Sequence, residues 1–557
     1  MNSDTVKSDT VNANQTEVHF QIMWNRLISV LEEQATTLIR TAFSTSVREA
    51  GDLSAGVFDR EGRMVAQAVT GTPGHVNTMA AAVPHFINDI GPERIYPGDV
   101  YLTNDPWKGT GHLHDITVTT PVFVGDQLVG FFASTAHVVD IGGRGFGPDA
   151  REVYEEGLRI PIMKWAERGE LNRDLVNIIR NNVREQDQVI GDIYGLAASN
   201  ETGRRRLLEM LDEFDMAGLD ELAEFIFDRT SAATMTAIAS LSKGTYRNEM
   251  RVDGYNETIT LAVELTVTDE GMHADFAGTS PLSTYGINVP LTYAQAYFTY
   301  GMLVALAPEL PNNYASLLPF TVSAPTGVIL NAQDPDAVAV RHVIGHFVTD
   351  LCFGAIADAL PDVIPAEGAG ALWNFQASAR AADPMSTLPP VEILMFNSGG
   401  SGARPTLDGL TATAFPSGVH TMSVEAVEQI GPIVLWRKEI RENSAGDGTY
   451  RGGLGQIVEI GPAEGYTFEF SAMFDRVDNP ARGRAGGGNG APGRLYLDDG
   501  TPFATKGRQT VPAGHSLILE LPGGGGFGDP ALRDPSDREN DLAQGYISGH
   551  TASEQNE

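Results

Sequence analysis

At 557 residues the chain is too long for one compact core, and roughly two to four domains are expected. Its hydrophobic content of 42% can fill sizeable cores, while a formal net charge of −34 repels phosphate backbones and anionic lipid, which argues against nucleic-acid and membrane-surface binding. The single cysteine, Cys352, excludes an intrachain disulfide and reads as a small buried hydrophobe in a helix.

In chain order, residues 1–17 are polar and read as a flexible tail. "VHFQIMWNRLISVLEEQATTLIRTAFS" has Phe20, Met23, Trp24, Leu27, Ile28 and Leu31 at helical spacing. "AGVFDREGRMVAQA" reads as two strands about the turn Asp59–Gly62, and "TMAAAVPHFIN" returns to helix. "DITVTTPVFV" and "QLVGFFASTAHV" flank Gly125-Asp126 and form a hairpin, with Gly125 suited to a type II′ turn. A two-residue loop then sets His114 opposite His137 and Asp115 opposite Ala136. Residues 172–242 are helical in pattern, strands follow from about 244 to 280, and "YAQAYFTYGMLVALAP" is a buried helix. From 395 to 534 glycine clusters and short strands dominate, and residues 535–557 form a second polar tail with room for one short helix. No apolar run of about eighteen residues and no signal peptide is seen, so a cytoplasmic protein is expected.

The titratable side chains crowd into "NDPWKGTGHLHDITV", residues 104–118. His112, Asp115 and His137, with Asp140 close by, suit zinc, manganese or iron, and three protein ligands leave room for a water. The other reading is a turn-capping Asp115 with ordinary histidine hydrogen bonds; the return of His137 on the hairpin favours the metal. One obstacle stands. Strict alternation puts Asp115 and His137 on opposite faces, so a metal site needs a bulge or a late strand start. Asp52, by itself, reads as a capping or turn residue, and His75 as a solvated residue of a glycine/proline turn. "GGRGFG" and "LPGGGGFGDP" read as turns needing positive φ, not as phosphate loops. His342 and His346, at i and i+4 beside Arg341, read as helix packing, the lesser alternative being that they line a substrate or partner surface. No G-x-x-x-x-G-K-[ST] occurs, so no ATP site is placed on this chain.

Taken together, "NDPWKGTGHLHDITVTTPVF", "STAHVVDIGG", "EEGLRIP", "IIRNNVREQDQVIGD", "VPLTYAQAYF", "SGGSGARPTLDG", "GTYRGGLG" and "LPGGGGFGDP" resemble the hydantoinase B/oxoprolinase family, to which subunits of ketone carboxylases are related. The pieces run in the family's order from about residue 20 to 550. The resemblance implies a B-type subunit that binds a small-molecule substrate and a divalent metal. Its partner would be an A-type, actin-like ATPase subunit that binds ATP and Mg and phosphorylates the substrate, in an α2β2 heterotetramer. It also implies a ligand set of Asp52, His112, Asp115 and His137. The family's usual proline and second histidine are replaced here by His114 and Val138. Asp140 and His75 are then candidates for orienting the water or moving protons, and His114 for lining the substrate pocket or holding a ligand through a hydrogen bond, the other reading being a neutral surface replacement.

The expected architecture is α+β and multi-domain: a mixed metal-site domain at 18–171, a helical segment at 172–242, a mixed domain at 243–394 and a β-rich region at 395–534. The expected function is ATP-dependent hydrolysis of a cyclic amide, in which metal-bound water attacks the phosphorylated substrate. The alternatives are a ketone carboxylase subunit and a non-catalytic scaffold with a structural metal.

Overall fold

The computed structural model describes residues 3–69, 72–370 and 372–548, the first of these in backbone alone up to residue 16. It is an α+β chain with four sheets. Among the described residues, no helix is long and apolar enough to cross a membrane. The first helix spans Ser3–Thr41, so helical backbone extends into the stretch expected as a tail.

The N-terminal sheet has seven strands: β1 (Leu53–Phe58), β2 (Met64–Gln67), β3 (Val100–Thr103), β4 (Asp115–Val124), β5 (Gln127–His137), β6 (Met163–Glu167) and β7 (Glu170–Leu171), in the order β2-β1-β5-β4-β3-β6-β7. Both faces are covered, which is why β4 and β5 are buried along most of their length. Leu53, Ala55, Ile116, Val118, Phe132 and Ala136 pack in one core with the helices Ser3–Thr41 and Gln186–Glu213. Phe131 and Ala133, on the opposite face, pack against Val76, Met79 and Val83 of the helix Pro73–Ile90. Period-2 alternation therefore sends Asp115, His137 and Asp52 to the face covered by this second helix.

The hairpin register decides this placement, and it differs by one residue from the expected count. Near the turn the pairs Val124↔Gln127 and Phe123↔Leu128 follow the two-residue loop, with Gly125 at φ +59°. The next pair is Val122↔Gly130, so Val129 is an extra residue on β5. Beyond this bulge Asp115 faces His137 and Ile116 faces Ala136. A bulge inserts one residue and leaves it unpaired; here it brings carboxylate and imidazole onto one face. Deleting Val129 should regularise the hairpin and keep Asp115 opposite His137. Bound metal per chain is then expected to be unchanged, with stability lower by about 1–3 kcal/mol for the lost buried valine. Elemental analysis and thermal unfolding of the deletion variant check both halves.

The helical segment follows as expected: Arg173–Asn182, Gln186–Glu213 and Asp220–Ala239. The second sheet contains β8 (Gly244–Asp253), β9 (Thr258–Val267), β10 (Met272–Asp275) and β11 (Phe320–Ser323). The helices Leu291–Leu306 and Phe347–Ile356 pack on it, the latter burying Cys352. A third sheet orders β13 (Val391–Met395), β12 (Phe375–Ala381), β16 (Tyr466–Met473) and β18 (Lys506–Val511). The fourth holds β14 (Ile433–Ile440), β15 (Gln456–Pro462), β19 (Leu517–Glu520) and β17 (Arg494–Leu497). The expected boundary at 394/395 falls inside β13, and one hydrophobic core spans both sides of it. A single sheet cannot be divided there.

The glycine clusters of 399–526 also depart from expectation. Residues 142, 143 and 145 of "GGRGFG" do have positive φ. In "LPGGGGFGDP" Gly528 does too, at φ +77°, but Gly523–Gly526 do not, nor do the glycines of "SGGSGARP" and "GTYRGGLG". These segments run extended and hydrogen-bond to one another through their backbones: Gly453 to Ser401 (2.8 Å), Gly524 to Gly453 (2.9 Å), Gly446 to Gly524 (2.8 Å) and Gly526 to Gly488 (2.9 Å). Glycine is required because neighbouring backbones occupy the space of a side chain, not because of its φ.

Candidate metal centre

The loop from β3 to β4 is shaped by Asn104. Its amide donates to the carbonyls of Leu113 (2.8 Å) and Leu158 (2.9 Å), and its Oδ1 accepts from the Ile160 amide (2.6 Å). Gly111, at φ +96°, leaves room for Arg341, whose Cδ and Nε would lie 2.8 Å from a Cβ there. Arg341 uses that space to donate from Nε to the Thr110 carbonyl (2.7 Å) and to reach Asp115 Oδ2 with Nη2 (2.6 Å).

Asp115 is the centre of the site. Its Oδ2 also accepts from Thr110 Oγ1 (2.7 Å) and lies 2.9 Å from His75 Nε2. Its Oδ1 lies 2.7 Å from His112 Nε2 and 3.1 Å from His137 Nδ1. All three residues are buried, and His112, Asp115 and His137 bring ligand atoms within 4.8 Å of one another. Burial opposes ionisation of Asp115, but the charges of His75 and Arg341 hold its carboxyl well below the usual range.

The protonation of His112 shows what the triad fits. Its Nδ1 lies 2.8 Å from the Ala339 carbonyl, which can only accept, so the proton sits on Nδ1. Burial, and then Arg341, lowers its pKa to about 3, so the ring is neutral. Its Nε2 lone pair therefore faces a carboxylate oxygen. Two acceptors at that distance repel, and a metal cation bound by both lone pairs would relieve this by setting the two atoms further apart. His112 Nε2 and His137 Nε2 are buried with no hydrogen-bond partner among the described residues. Two imidazoles and a carboxylate suit zinc, manganese or iron better than calcium or magnesium.

Asp52 lines the same cavity as His112 and His137, and its backbone carbonyl accepts from the His137 amide (3.4 Å). Its carboxylate lies 3.6 Å from His75 Nδ1, outside the close triad. His75 is not in a solvated turn. It is buried in the first turn of the helix Pro73–Ile90, between Asp115 and Asp52. Burial disfavours its charge, yet the two carboxylates outweigh this and raise its pKa. Asp140 turns elsewhere, to Arg184 Nη1 (2.6 Å) and the Gly142 amide (3.1 Å), and secures that loop. His114 is fully buried, its ring stacked on His137 with centroids 5.5 Å apart and packed on Phe146 at 4.9 Å.

The opposite wall was not legible as part of a site. Arg341, His342, His346, Asn374 and Tyr293 all line the cavity. The i,i+4 spacing of His342 and His346 was visible, but nothing local distinguished it from packing; Asn374 carried no signal at all. The cavity encloses about 30 Å³, enough for a water but not for a whole substrate ring. Residues 416–419 separate it from a larger space of about 490 Å³: Ser417 and Val419 line the small cavity, Pro416 and Gly418 the large one. Buried Glu156 accepts from the amides of Val338 and Ala339 (2.8 Å for the latter), and so holds the carbonyl that orients His112.

Comparison with known proteins finds relatives over nearly the whole chain. The sequence profile of the family described as Hydantoinase B/oxoprolinase matches residues 16–530. A 5-oxoprolinase from Pestalotiopsis fici is 26% identical over 97% of this chain, which spans only 43% of that relative. The crystal structure of an ATP-dependent caprolactamase from Pseudomonas jessenii superposes with a TM-score of 0.87 at 25% identity, covering 95% of this chain and 94% of that one. A nucleotide-free structure of an ATP-dependent acetone carboxylase shares the fold, with a TM-score of 0.85 at 20% identity over 96% of this chain and 78% of the other.

Proposed function

Because the chain belongs to the hydantoinase B/oxoprolinase family, we propose that it is the metal-containing B subunit of an ATP-dependent cyclic amide hydrolase, acting on a hydantoin, oxoproline or lactam. An A-type, actin-like ATPase subunit binds ATP and Mg and phosphorylates the amide oxygen. Phosphorylation removes amide resonance. Water activated at the site on this chain adds to the carbon as the ring C–N bond breaks, its protons pass to the leaving nitrogen, and a second water hydrolyses the acyl phosphate that remains to carboxylate and inorganic phosphate. The observation that carries this reading is the buried His112–Asp115–His137 triad, with ligand atoms within 4.8 Å of one another, on a chain without an ATP motif. The greater length of the 5-oxoprolinase relative leaves room for a second activity that this chain would obtain from a partner.

The side chains present fit a divalent cation. His112, Asp115 and His137 would hold it, with Asp52 the nearest further carboxylate. When bound, such a cation supplies Lewis acidity and a nucleophile at neutral pH. His112 is oriented by Ala339, and Asp115 by Arg341 and Thr110, so the set is preorganised. His75, bridging Asp115 and Asp52, is placed to take up and return a proton at Nδ1. Burial of the whole centre excludes bulk water, which protects an activated intermediate.

The test is ring opening by the purified chain with its partner subunit, ATP and metal, on hydantoin, 5-oxoproline and lactams. Ring opening is expected to need all three, and to stop on chelation. Turnover without the partner, or undiminished after complete metal removal, would sink the reading. A second reading, ketone carboxylation, is favoured by the fold shared with acetone carboxylase. Incorporation of labelled bicarbonate into product would decide for it.

A further inference from the structure

We propose that Asn374, backed by His342, forms a subsite that binds the N–H edge of a cyclic amide and selects it over a ketone. This rests on the hydrolase reading for the identity of the substrate.

Asn374 is 3% exposed and lines the cavity faced by His112 and His137. Its Nδ2 lies 3.2 Å from His342 Nε2. His342 is neutral, since burial and then His346 hold its pKa well below the usual histidine value. With Nε2 as the acceptor of that bond, the amide is oriented and Oδ1 is left over. Asn374 Oδ1 is buried and has no hydrogen-bond partner among the described residues. A buried carbonyl oxygen left without a donor is unfavourable by about 1–3 kcal/mol. The site therefore calls for a donor at this point, a water in the resting cavity and a ligand's N–H or O–H once one displaces it.

A cyclic amide brings its N–H beside the carbon to be attacked, and after phosphorylation of its oxygen it still carries that hydrogen in the N-protonated, more electrophilic form. A ketone or an enol phosphate brings none at that position. An anion is disfavoured on this wall: Arg341, the cation there, is already paired with Asp115, and His346 is neutral, its pKa lowered to about 3 by burial and then Arg341. The volume agrees, because about 30 Å³ admits the edge of a ring and not the ring itself. Sites built to bond a substrate N–H or O–H can reject the analogue lacking it by roughly 10⁴-fold or more.

The test compares 2-pyrrolidinone with cyclopentanone, which differ by N–H against CH2. Binding to the metal-loaded complex with its partner is read by ligand-observed NMR, and ring opening is followed in the same samples. The native protein is expected to bind the lactam at least about 10-fold more tightly. Asn374→Ala should abolish that preference, and Asn374→Asp, which keeps an acceptor, should retain most of it. Equal or undetectable binding of the two probes by the native protein overturns the subsite, as does an Asn374→Ala variant that loses both ligands equally. Should Asn374→Ala not fold, the native comparison and Asn374→Asp still decide. Selective lactam binding with no ring opening of any cyclic amide would leave the subsite standing and remove the hydrolase reading. Ring opening without selective binding would do the reverse.

Discussion

Replacing His112 with alanine is expected to abolish ATP-dependent ring opening and to lower metal affinity by more than 100-fold. Removing an outer partner of a metal ligand typically weakens binding by about 10–100-fold, and removing a ligand goes further. His112 is the best-oriented member of the triad: its Nδ1 is fixed on the Ala339 carbonyl, and its Nε2 lies 2.7 Å from Asp115 Oδ1. The variant should fold. Its metal-free form loses a repulsive contact between two acceptors, so its thermal midpoint without metal should not fall as much as a buried truncation normally implies. Thr110→Val, which removes only the hydroxyl bonded to Asp115 Oδ2, should fall in the 10–100-fold range. Elemental analysis, metal titration and turnover with the partner check the pair. Full metal content and turnover in His112→Ala would contradict the assignment of the centre.

The second large effect concerns folding. Gly402→Ala or Gly524→Ala is expected to destabilise the chain by more than roughly 4 kcal/mol, the range reserved for severe steric or polar disruption. A Cβ on Gly402 would lie 1.8 Å from the Ala366 carbonyl oxygen, and one on Gly524 would lie 1.9 Å from that of Ser401. The obstacles are backbone atoms, which cannot rotate away. Gly524 also donates to Gly453 and accepts from Gly446, so moving it breaks the bonds that join three segments. Since a domain has only about 5–15 kcal/mol of stability, loss of soluble protein is the expected result. Gly514 is the control: its φ is +85° with nothing near a Cβ, and alanine there should cost roughly 1–2 kcal/mol. Soluble yield and thermal unfolding of the three variants separate close backbone approach from positive φ as the reason for glycine.

Much of the candidate centre was legible from the residues because its core is local. His112 and Asp115 are three apart in one loop, and the hairpin signal about Gly125 returned His137 to their side. Asp52 entered through the family resemblance, since a lone aspartate before a strand has many uses. His75 was misread as solvated because a Gly-Pro stretch marks both turns and helix starts, and only the docking of its helix shows which. His342, His346 and Asn374 were missed as site residues because they lie more than 200 residues from the hairpin. They reach the cavity through the packing of the helix Leu291–Leu306 on the helix Pro73–Ile90, with Phe347–Ile356 packed in turn on Leu291–Leu306.

The sequence by itself determined the elements with short-range causes: the amphipathic helices, the Gly125 turn, the His112/Asp115 spacing and the lack of a phosphate loop. These depend on periodicity and on neighbours a few residues away, which any window of the chain displays. The tertiary structure alone decided that Val129 bulges and so puts Asp115 and His137 on one face, and that Arg341 crosses Gly111 to reach Asp115. It alone decided that the C-terminal glycines serve close-packed backbones and not turns. In each case the outcome rests on contacts between residues far apart in sequence. A one-residue change of register or an ångström of backbone approach leaves no periodic mark on either partner, yet it settles which side chains meet.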